Sequence, residues 1–365
     1  MKRFFSGASP RPLGELPAYL HQIDALRLLA VLVVMFHHYL QGVHFPFFGK
    51  GVILFFFLSG YFSTRQLMRF KKMREAGGQS IGKAVRVFYF RRYIRIFPMY
   101  YGILLFGVAA GLPWAREAGL WLATFTTNWY ILLTGHWVGP FSPFWSLGLL
   151  EQFYLFWPLL ILSVPRSREI RVCLLLVLVA ILWRAWCYQS SQRAFMWFVI
   201  PWSGWDQLGL GAMTAILHSR MSESTRIILS LRRFGLFLAG PLSLFLLFGK
   251  HLGGLEGLHY VYEPALNCLF FIWLVDSTSR GHGGWTGALL SHPVVCNLGR
   301  ASYSVFALHN LTVFLIPGVL AAPLSPLLET NLRWIILVPA TLLVSWLAYR
   351  YVERPINRLK RFFVL

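Results

Sequence analysis

Long apolar runs recur along the chain, separated by short polar stretches, and most have the length of a membrane-crossing helix. Such a helix needs about 17 to 25 largely apolar residues. The pattern therefore predicts an all-α integral membrane protein, a bundle of about ten transmembrane helices. The predicted spans lie at approximately 22–42, 49–66, 93–112, 145–164, 171–188, 202–218, 228–248, 261–276, 301–321 and 333–352.

One further apolar run, Leu120 to Leu133, is too short for a span and contains Thr124, Thr127 and Asn128. A short run with polar residues is typical of a re-entrant or interfacial segment. The number of crossings therefore stays at ten. An even number of crossings leaves both chain ends on the same side of the membrane.

The positions of lysine and arginine indicate which side that is. Cytoplasmic loops near span ends retain positive charge, and most lysines and arginines fall in one set of loops. The basic residues predicted to lie outside are Lys50, Arg116, Arg184, Arg193, Lys250 and Arg333. We expect both termini in the cytoplasm, with the protein multi-pass in its membrane. The whole chain, 1–365, is predicted to be one transmembrane domain with cytoplasmic tails 1–21 and 353–365 and a cytoplasmic basic loop, 65–95.

Composition supports lipid as the main surroundings of the chain. Hydrophobic residues make up 57% of the sequence and charged residues 13%, too little polar surface for a water-soluble globule of this size. The net charge of +21 would suggest nucleic acid in a soluble protein. Here the basic residues lie in short stretches between apolar runs, so no nucleic-acid partner is expected. The four cysteines have no metal or redox spacing, and we expect no metal.

The first predicted span contains titratable residues at both ends. Asp24 precedes Arg27 by three residues, so the two side chains can pair on a helix. His38 follows Arg27 by eleven residues, which returns it to within about 20° of the Arg27 face at roughly 16 Å along the axis. His37 points about 80° away from that face. The alternative is that Arg27 extends to the membrane surface and both histidines mark the opposite interface.

Two further stretches contain candidate binding residues. Ser59 and Gly60 interrupt an aromatic face in the second span; Gly60 permits close helix approach, and Ser59 alternatively bonds only a backbone carbonyl. Before the third span, arginines recur at one- and four-residue spacing, and Tyr100 follows. Their guanidinium groups suit phosphate, although positive charge on the cytoplasmic side explains any one of them. These arginines are Arg91, Arg92 and Arg95.

Several later spans contain isolated titratable residues. Glu151 in the fourth span and Asp206 in the sixth are carboxylates in apolar surroundings, which normally find a partner or line a polar pathway. His309 in the ninth span is either functional or part of a helix–helix hydrogen bond. Glu353 and Pro355 follow the last span, and proline there is typical of a charged helix end.

Taken in order, these stretches resemble the acyltransferase-3 family of bacterial membrane proteins, over a region from about Ile23 to Arg358. The family's arginine-to-histidine motif falls on Arg27 and His38. Its other motifs fall on Phe56 to Tyr61, on Arg91, Arg92, Arg95 and Pro98, on Trp145 to Leu147, on Tyr303 to His309, and on Glu353 with Pro355.

Two positions depart from the family's pattern. An acidic residue usually stands five places after the motif tryptophan, often followed by a second, and here Leu150 is followed by Glu151 alone. An aromatic residue often precedes the motif histidine, and here His37 does. The first departure puts a catalytic role for Glu151 in question. The second leaves two histidines to choose from, of which helical phase favours His38.

The resemblance implies an O-acyltransferase that moves an acyl group from cytoplasmic acyl-CoA, with acetyl-CoA the first choice, to a lipid-linked sugar or exported polysaccharide. His38 is the expected general base, or less readily an acyl carrier, assisted by Arg27, Asp24, Glu151 and His309. The residues expected to bind the donor are Arg91, Arg92, Arg95, Ser59 and Tyr100.

Two alternatives remain open. The enzyme could instead use succinyl-CoA or another short acyl-CoA. The chain could also be a transporter or flippase whose Arg, His and Glu side chains bind an anion or relay protons. Acyl transfer by the purified protein without a gradient decides between enzyme and transporter.

Overall fold

All regular secondary structure in the described part of the chain is helical, which confirms the all-α prediction. The computed structural model describes residues 20–39, 49–78, 80–190, 196–249, 255–315 and 326–363. Most of the predicted tail 1–21 lies outside these residues, as do Arg193, Lys250 and the outer ends of the first and ninth predicted spans.

The helices are numbered in chain order within the described ranges. Short 3₁₀ helices and two π-helical turns, Gly235–Ala239 and Tyr349–Glu353, connect some of them. The α-helices are α1 Ile23–Tyr39, α2 Lys50–Glu75, α3 Ile81–Ala109, α4 Pro113–Glu117, α5 Gly119–Ala123, α6 Thr127–Thr134, α7 Phe144–Ser163, α8 Glu169–Gln189, α9 Met196–Val199, α10 Trp205–Ser219, α11 Met221–Phe234, α12 Gly240–Gly249, α13 Glu256–Arg280, α14 Gly284–Leu290, α15 Pro293–Arg300, α16 Ser302–Leu315, α17 Pro326–Ala348 and α18 Arg354–Asn357.

Five helical stretches in the described ranges are long and apolar enough to cross a membrane. They correspond to the fourth, fifth, seventh, eighth and tenth predicted spans. Most of these stretches face outward: on α8, for example, Leu175 and Leu182 are more than half exposed. Apolar side chains on the outside of a long helix are what a lipid environment requires. The stretches are Phe144–Ser163, Arg166–Gln189, Ser224–Gly249, Glu256–Arg280 and Ile335–Phe362.

The other five predicted spans are also helices, but their dimensions differ. The helices α1, α10 and α16 have 17, 15 and 14 described residues, fewer than most membrane-crossing helices have. The helices α2 and α3 are longer, with 26 and 29 residues, and both contain several basic residues. The helices α2 and α10 are largely buried, whereas α3 also exposes apolar side chains such as Leu105 and Phe106. The count of ten crossings stays a prediction.

The segment 65–95 was predicted to be a basic loop, but most of it is helical. Helix α2 continues to Glu75 and α3 begins at Ile81, so only residues 76–80 connect them. The Ser80 side chain accepts a hydrogen bond from the Lys83 N–H and caps α3. Apolar runs reveal only the part of a helix inside hydrocarbon, and a charged helical extension beyond it looks like a loop.

The expected helix end at Pro355 is also absent. A π-helical turn, Tyr349–Glu353, joins α17 to α18, and Pro355 lies in the first turn of α18. Proline is tolerated there because the first N–H groups of a helix have no partner within it. The helical path therefore continues to Phe362.

Helices α2 and α10 pack at backbone distance in the centre of the protein. A Cβ atom on Gly60 would overlap the Leu208 carbonyl oxygen, and one on Gly211 would overlap the Phe57 carbonyl oxygen. Glycine lets two helix backbones approach this closely. The predicted role of Gly60 in close helix approach is confirmed.

The short apolar run after α3 is broken rather than continuous. It forms α5 and α6, and Phe125 between them has a left-handed φ of 57°. Gln152 on α7 holds this break, since its side-chain amide donates to the Phe125 carbonyl oxygen at 2.9 Å and to Asn128 Oδ1 at 2.8 Å. Neither helix is long enough to span a bilayer, in line with the predicted re-entrant or interfacial segment.

Asp206 belongs to a structural ion pair. Arg184 Nη2 donates to Asp206 Oδ2 at 2.6 Å, and the same guanidinium donates to the carbonyl oxygens of Ser203 and Val261 at 2.8 and 3.1 Å. We call Arg184, Asp206 and these two carbonyl groups the Arg184 anchor. It joins α8, α10 and α13. Arg184 is only 4% exposed and lies on α8, so it belongs to a buried ion pair and not to an exposed loop.

Candidate functional site

A polar cavity of about 90 Å³ lies where α1, α2, α3, α7 and α16 meet. Its remaining wall is mainly aromatic and aliphatic, with Tyr154 and Tyr303 adding hydroxyl groups. A cavity of this size has room for several water molecules. The cavity brings together five residues singled out from the sequence: Arg27, Ser59, Arg92, Arg95 and Glu151.

Arg27 reaches the cavity from the first turns of α1. Its Nη1 lies 3.4 Å from Asp24 Oδ1, three residues earlier on the helix, which confirms the predicted pairing. Asp24 is buried, 4% exposed, so the carboxylate offsets part of the cost of placing Arg27 in an apolar surrounding. A single long contact leaves most of the guanidinium donors of Arg27 directed toward the cavity.

Arg92 is fixed against the wall formed by α7. Its Nε donates to Glu151 Oε1 at 3.1 Å, and its guanidinium lies 3.0 Å from the centre of the Tyr154 ring. Tyr154 follows Glu151 by three residues, so both side chains lie on one face of α7. Glu151 therefore has both a partner and a place on the cavity wall, as the sequence suggested.

Arg95 projects into the same space from α3, one turn after Arg92. The charges nearest to it are Arg27, Arg92 and Glu353. No described residue forms a hydrogen bond or an ion pair with its side chain. Glu353 is buried and accepts a hydrogen bond from Ser304 Oγ at 2.8 Å. Three arginines thus converge on a cavity in which the nearby carboxylates are already engaged.

Two predicted donor-binding residues lie apart from the cavity wall. Tyr100 is fully buried, and its hydroxyl donates to the Leu122 carbonyl oxygen at 2.7 Å. Its ring stacks on Phe125 with 4.0 Å between ring centres. Tyr100 therefore supports the α5–α6 break. Arg91 lies outside the lining, toward Lys360 on the last helical turn of the chain.

The histidines form a second part of the site at the other end of α1. The ring centres of His38 and His309 are 5.0 Å apart, and those of His37 and His38 are 5.1 Å apart. His37 is exposed, His38 is half-buried and His309 is buried. Because α1 is unbroken from Ile23 to Tyr39, Arg27 and His38 keep the helical phase that their spacing predicted.

Tyr39 holds the histidine end of α1 in place. Its hydroxyl donates to the His309 carbonyl oxygen at 2.9 Å and lies 2.7 Å from Thr341 Oγ1. These contacts tie α1 to α16 and α17. Sequence reasoning missed Tyr39, because one tyrosine at a helix end gives no distinctive signal.

Sequence reasoning also left Tyr154, Tyr303 and Glu353 out of the site. Tyr303 lines the cavity and donates to the Ile96 carbonyl oxygen at 2.9 Å. Two signals were available in the sequence. Tyr154 lies one helical turn from Glu151, and Tyr303 and Glu353 belong to the family's motifs. In the described ranges, no group of three His, Cys, Asp or Glu side chains could hold a metal ion.

The comparison with known protein families now bears on this geometry. Residues 20–350 match the profile of acyltransferase-3, described as an acyltransferase domain. The chain belongs to the acyltransferase-3 family. The family's arginine-to-histidine motif therefore runs along α1 from the cavity to the histidine pair, and its arginine-rich motif lies within α3.

Curated relatives of this acyltransferase-3 chain share about a quarter of its residues. The peptidoglycan O-acetyltransferase OatA of Listeria monocytogenes is 24% identical over 93% of the chain and 56% of its own length. A candidate peptidoglycan O-acetyltransferase of Bacillus subtilis, YrhL, is 24% identical over 93% of the chain and 55% of its own length. The chain thus spans just over half the length of these relatives. No solved structure matches it significantly.

Proposed function

We propose that this acyltransferase-3 protein is a membrane O-acetyltransferase that moves an acetyl group from cytoplasmic acetyl-CoA to a hydroxyl group of a cell-wall glycan. The names of the relatives support the acetyl group and this class of acceptor.

The observation that carries the proposal is the arrangement along α1. One unbroken helix places Arg27 in a cavity with two other arginines and places His38 beside a second histidine about 16 Å farther along. An acyl-CoA has anionic phosphates at one end and a reactive thioester at the other. A cationic cavity and a separate histidine pair suit those two ends.

The donor would be held mainly by Arg95 and Arg27. Their guanidinium groups suit phosphate oxygens because each can form two parallel hydrogen bonds. Arg91 would extend this surface toward the cytoplasm, and Ser59 would contact the donor from α2. Arg92 and Glu151 would hold each other in the wall, so Glu151 acts on the site through Arg92.

The proposed reaction is a direct transfer assisted by His38. An unprotonated ring nitrogen of His38 takes the proton of the acceptor hydroxyl as its oxygen attacks the thioester carbonyl carbon. The new C–O bond forms, the C–S bond breaks, and CoA leaves as a thiolate that then takes up a proton. Histidine suits this place because neutral imidazole is compatible with a partly buried site.

The proposed topology has ten crossings, both termini in the cytoplasm, and a place in the bacterial inner membrane, with residues 113–143 on the outer side. The charge asymmetry of the loops supports it. Reporter fusions after residue 365 and within 113–143 test it. An external C-terminus would contradict both the topology and the cytoplasmic origin of the donor.

Transfer by the purified protein in detergent is the deciding experiment. With radiolabelled acetyl-CoA and peptidoglycan fragments, we expect labelled ester on the glycan without any ion gradient, and a lower rate with succinyl-CoA. A reaction without the protein is the control for non-enzymatic transfer, and the His38→Ala variant tests the proposed base. If labelled ester forms equally without the protein, or if acetyl groups move only across sealed vesicles with a gradient, the enzyme assignment is wrong.

A further inference from the structure

The tautomer of His309 is set by a backbone hydrogen bond. Its Nδ1 lies 2.6 Å from the Phe306 carbonyl oxygen, one turn earlier on α16. A carbonyl oxygen can only accept, so Nδ1 carries the proton. In a neutral imidazole the other nitrogen, Nε2, is then an acceptor. His309 therefore presents a lone pair on the side of the ring away from its own helix backbone.

That acceptor is buried without a partner. His309 is 0% exposed, and its Nε2 forms no hydrogen bond within the described residues. A buried polar atom left unsatisfied costs about 1–3 kcal/mol. Such a group in a native protein calls for an explanation, and a site that completes its hydrogen bonds during function is one.

The ring of His38 is at the distance that an imidazole–imidazole hydrogen bond requires. Such a bond has about 2.9 Å between nitrogens, and each nitrogen lies about 1.1 Å from its ring centre, so the ring centres are about 5 Å apart. The observed separation is 5.0 Å, with 48° between the ring planes. The hydrogen bond is not made in this structure, since His309 Nε2 has no partner among the described residues, so its formation requires the half-buried His38 ring to turn.

The packing around the pair keeps the two rings in register. Tyr39, the residue after His38, donates to the His309 carbonyl oxygen, and its hydroxyl also contacts Thr312 and Thr341. These bonds join the backbones of α1 and α16 next to the histidines. His37 is exposed, and its ring centre lies 5.1 Å from that of His38.

We propose that His309 is a positioning residue: its Nε2 accepts the N–H of one nitrogen of His38, so that the other nitrogen of His38 presents its lone pair to the acceptor hydroxyl. This inference rests on the proposed function of His38. It assigns His309 a role different from that of a second base. It also gives the half-buried His38 the fixed orientation that a general base needs.

Two amide substitutions separate positioning from a purely structural role. In His309→Asn the side-chain amide nitrogen can replace Nδ1 and keep the bond to the Phe306 carbonyl oxygen, but the acceptor at Nε2 is lost. In His309→Gln the amide oxygen can occupy the place of Nε2. We expect kcat to fall about 10- to 100-fold in His309→Asn with KM for acetyl-CoA unchanged, and His309→Gln to retain most of kcat.

The reverse ranking, with an active Asn variant and an inactive Gln variant, would show that only the Phe306 bond matters and would overturn the proposal. Equal kcat in both variants and the wild type would also overturn it. If His38→Ala remains active, the proposed function of His38 fails first, so the two failures are distinguishable.

A measurement on proteins that keep His309 covers the case in which the His309 variants do not fold. Nitrogen NMR of protein labelled with ¹⁵N-histidine should show a hydrogen-bonded acceptor nitrogen on His309 that shifts when His38 is replaced by Gln. The His37→Gln protein is the matched control and should leave that signal in place. A His309 signal that is the same in all three proteins contradicts the hydrogen bond.

Discussion

The arginine of the Arg184 anchor and the arginines of the cavity are held in opposite ways. In the Arg184 anchor, one guanidinium donates to a carboxylate and two carbonyl oxygens and is 4% exposed. In the cavity, Arg27 has one carboxylate contact at 3.4 Å, and Arg95 has no described hydrogen bond. Both lie inside the helix bundle, but Arg184 is buried, whereas Arg27 and Arg95 are half-buried beside the cavity.

The difference lies in how completely the donors are satisfied. A buried cation whose hydrogen bonds are all made within the protein joins helices and has little left for a ligand. A cation with unused donors beside a cavity can bind an anion that arrives later. The Arg184 anchor is therefore structural, and the cavity arginines are candidates for function. The following variants test this division.

The largest effect is expected at the histidine pair. His38→Ala should lower the rate of acetyl transfer about 100- to 10,000-fold, the usual contribution of a general base, with normal membrane levels. His37→Ala should retain most activity because His37 is exposed and lies off the Arg27 face. Transfer rates of the two purified variants measure this. An inactive His37→Ala beside an active His38→Ala would reverse the assignment.

The next effect is on stability and not on catalysis. Arg184→Met leaves Asp206 buried without its partner, which should cost roughly 3–5 kcal/mol and show as a lower melting temperature in detergent. Adding Asp206→Leu should recover much of this loss, since an apolar pair can replace a buried ion pair. Unchanged melting in Arg184→Met would mean that the anchor carries no stability.

A smaller effect is expected at the donor end of the cavity. Arg95→Gln, alone or with Arg91→Gln, should raise KM for acetyl-CoA about 10- to 100-fold, the loss expected for a hydrogen bond between charged groups. Arg168→Gln, an exposed arginine before α8, is the matched control and should leave KM unchanged. Equal KM values in all these proteins would make Arg91 and Arg95 topology signals only.

The smallest effect is expected at Tyr100. Tyr100→Phe removes its hydrogen bond to the Leu122 carbonyl oxygen and should lower stability by about 1 kcal/mol. Both kcat and KM should stay at wild-type values because Tyr100 is outside the cavity lining. Steady-state kinetics and thermal unfolding measure the two parts. A raised KM would restore Tyr100 to the donor-binding residues.

Features that depend only on residues of the same helix could be predicted from the sequence. The pairing of Asp24 with Arg27 and the phase of His38 both follow from spacing on one helix. The helical class of the bundle follows from the apolar runs. Helix ends in the basic region could not be predicted, because residues 65–75 and 81–92 lie on helices that extend past the apolar run.

Partners that lie on a different helix could not be predicted from the sequence. The sequence showed that Glu151 and Asp206 need partners, but Arg92 and Arg184 reach them only through the packing of separate helices. The approach of His309 to His38 depends in the same way on α16 packing against α1. A periodic pattern shows which face of a helix is special, and it does not show which other helix covers that face.

The glycine contact between α2 and α10 limits how the cavity could be redesigned. With backbone against backbone at Gly60 and Gly211, α2 cannot move toward α10, and Ser59 and Phe62 stay on a fixed side of the cavity. More room for the anionic end of the donor would have to be engineered from the opposite wall. Leu147 and Leu150 on α7, which both line the cavity, are the side chains to shorten.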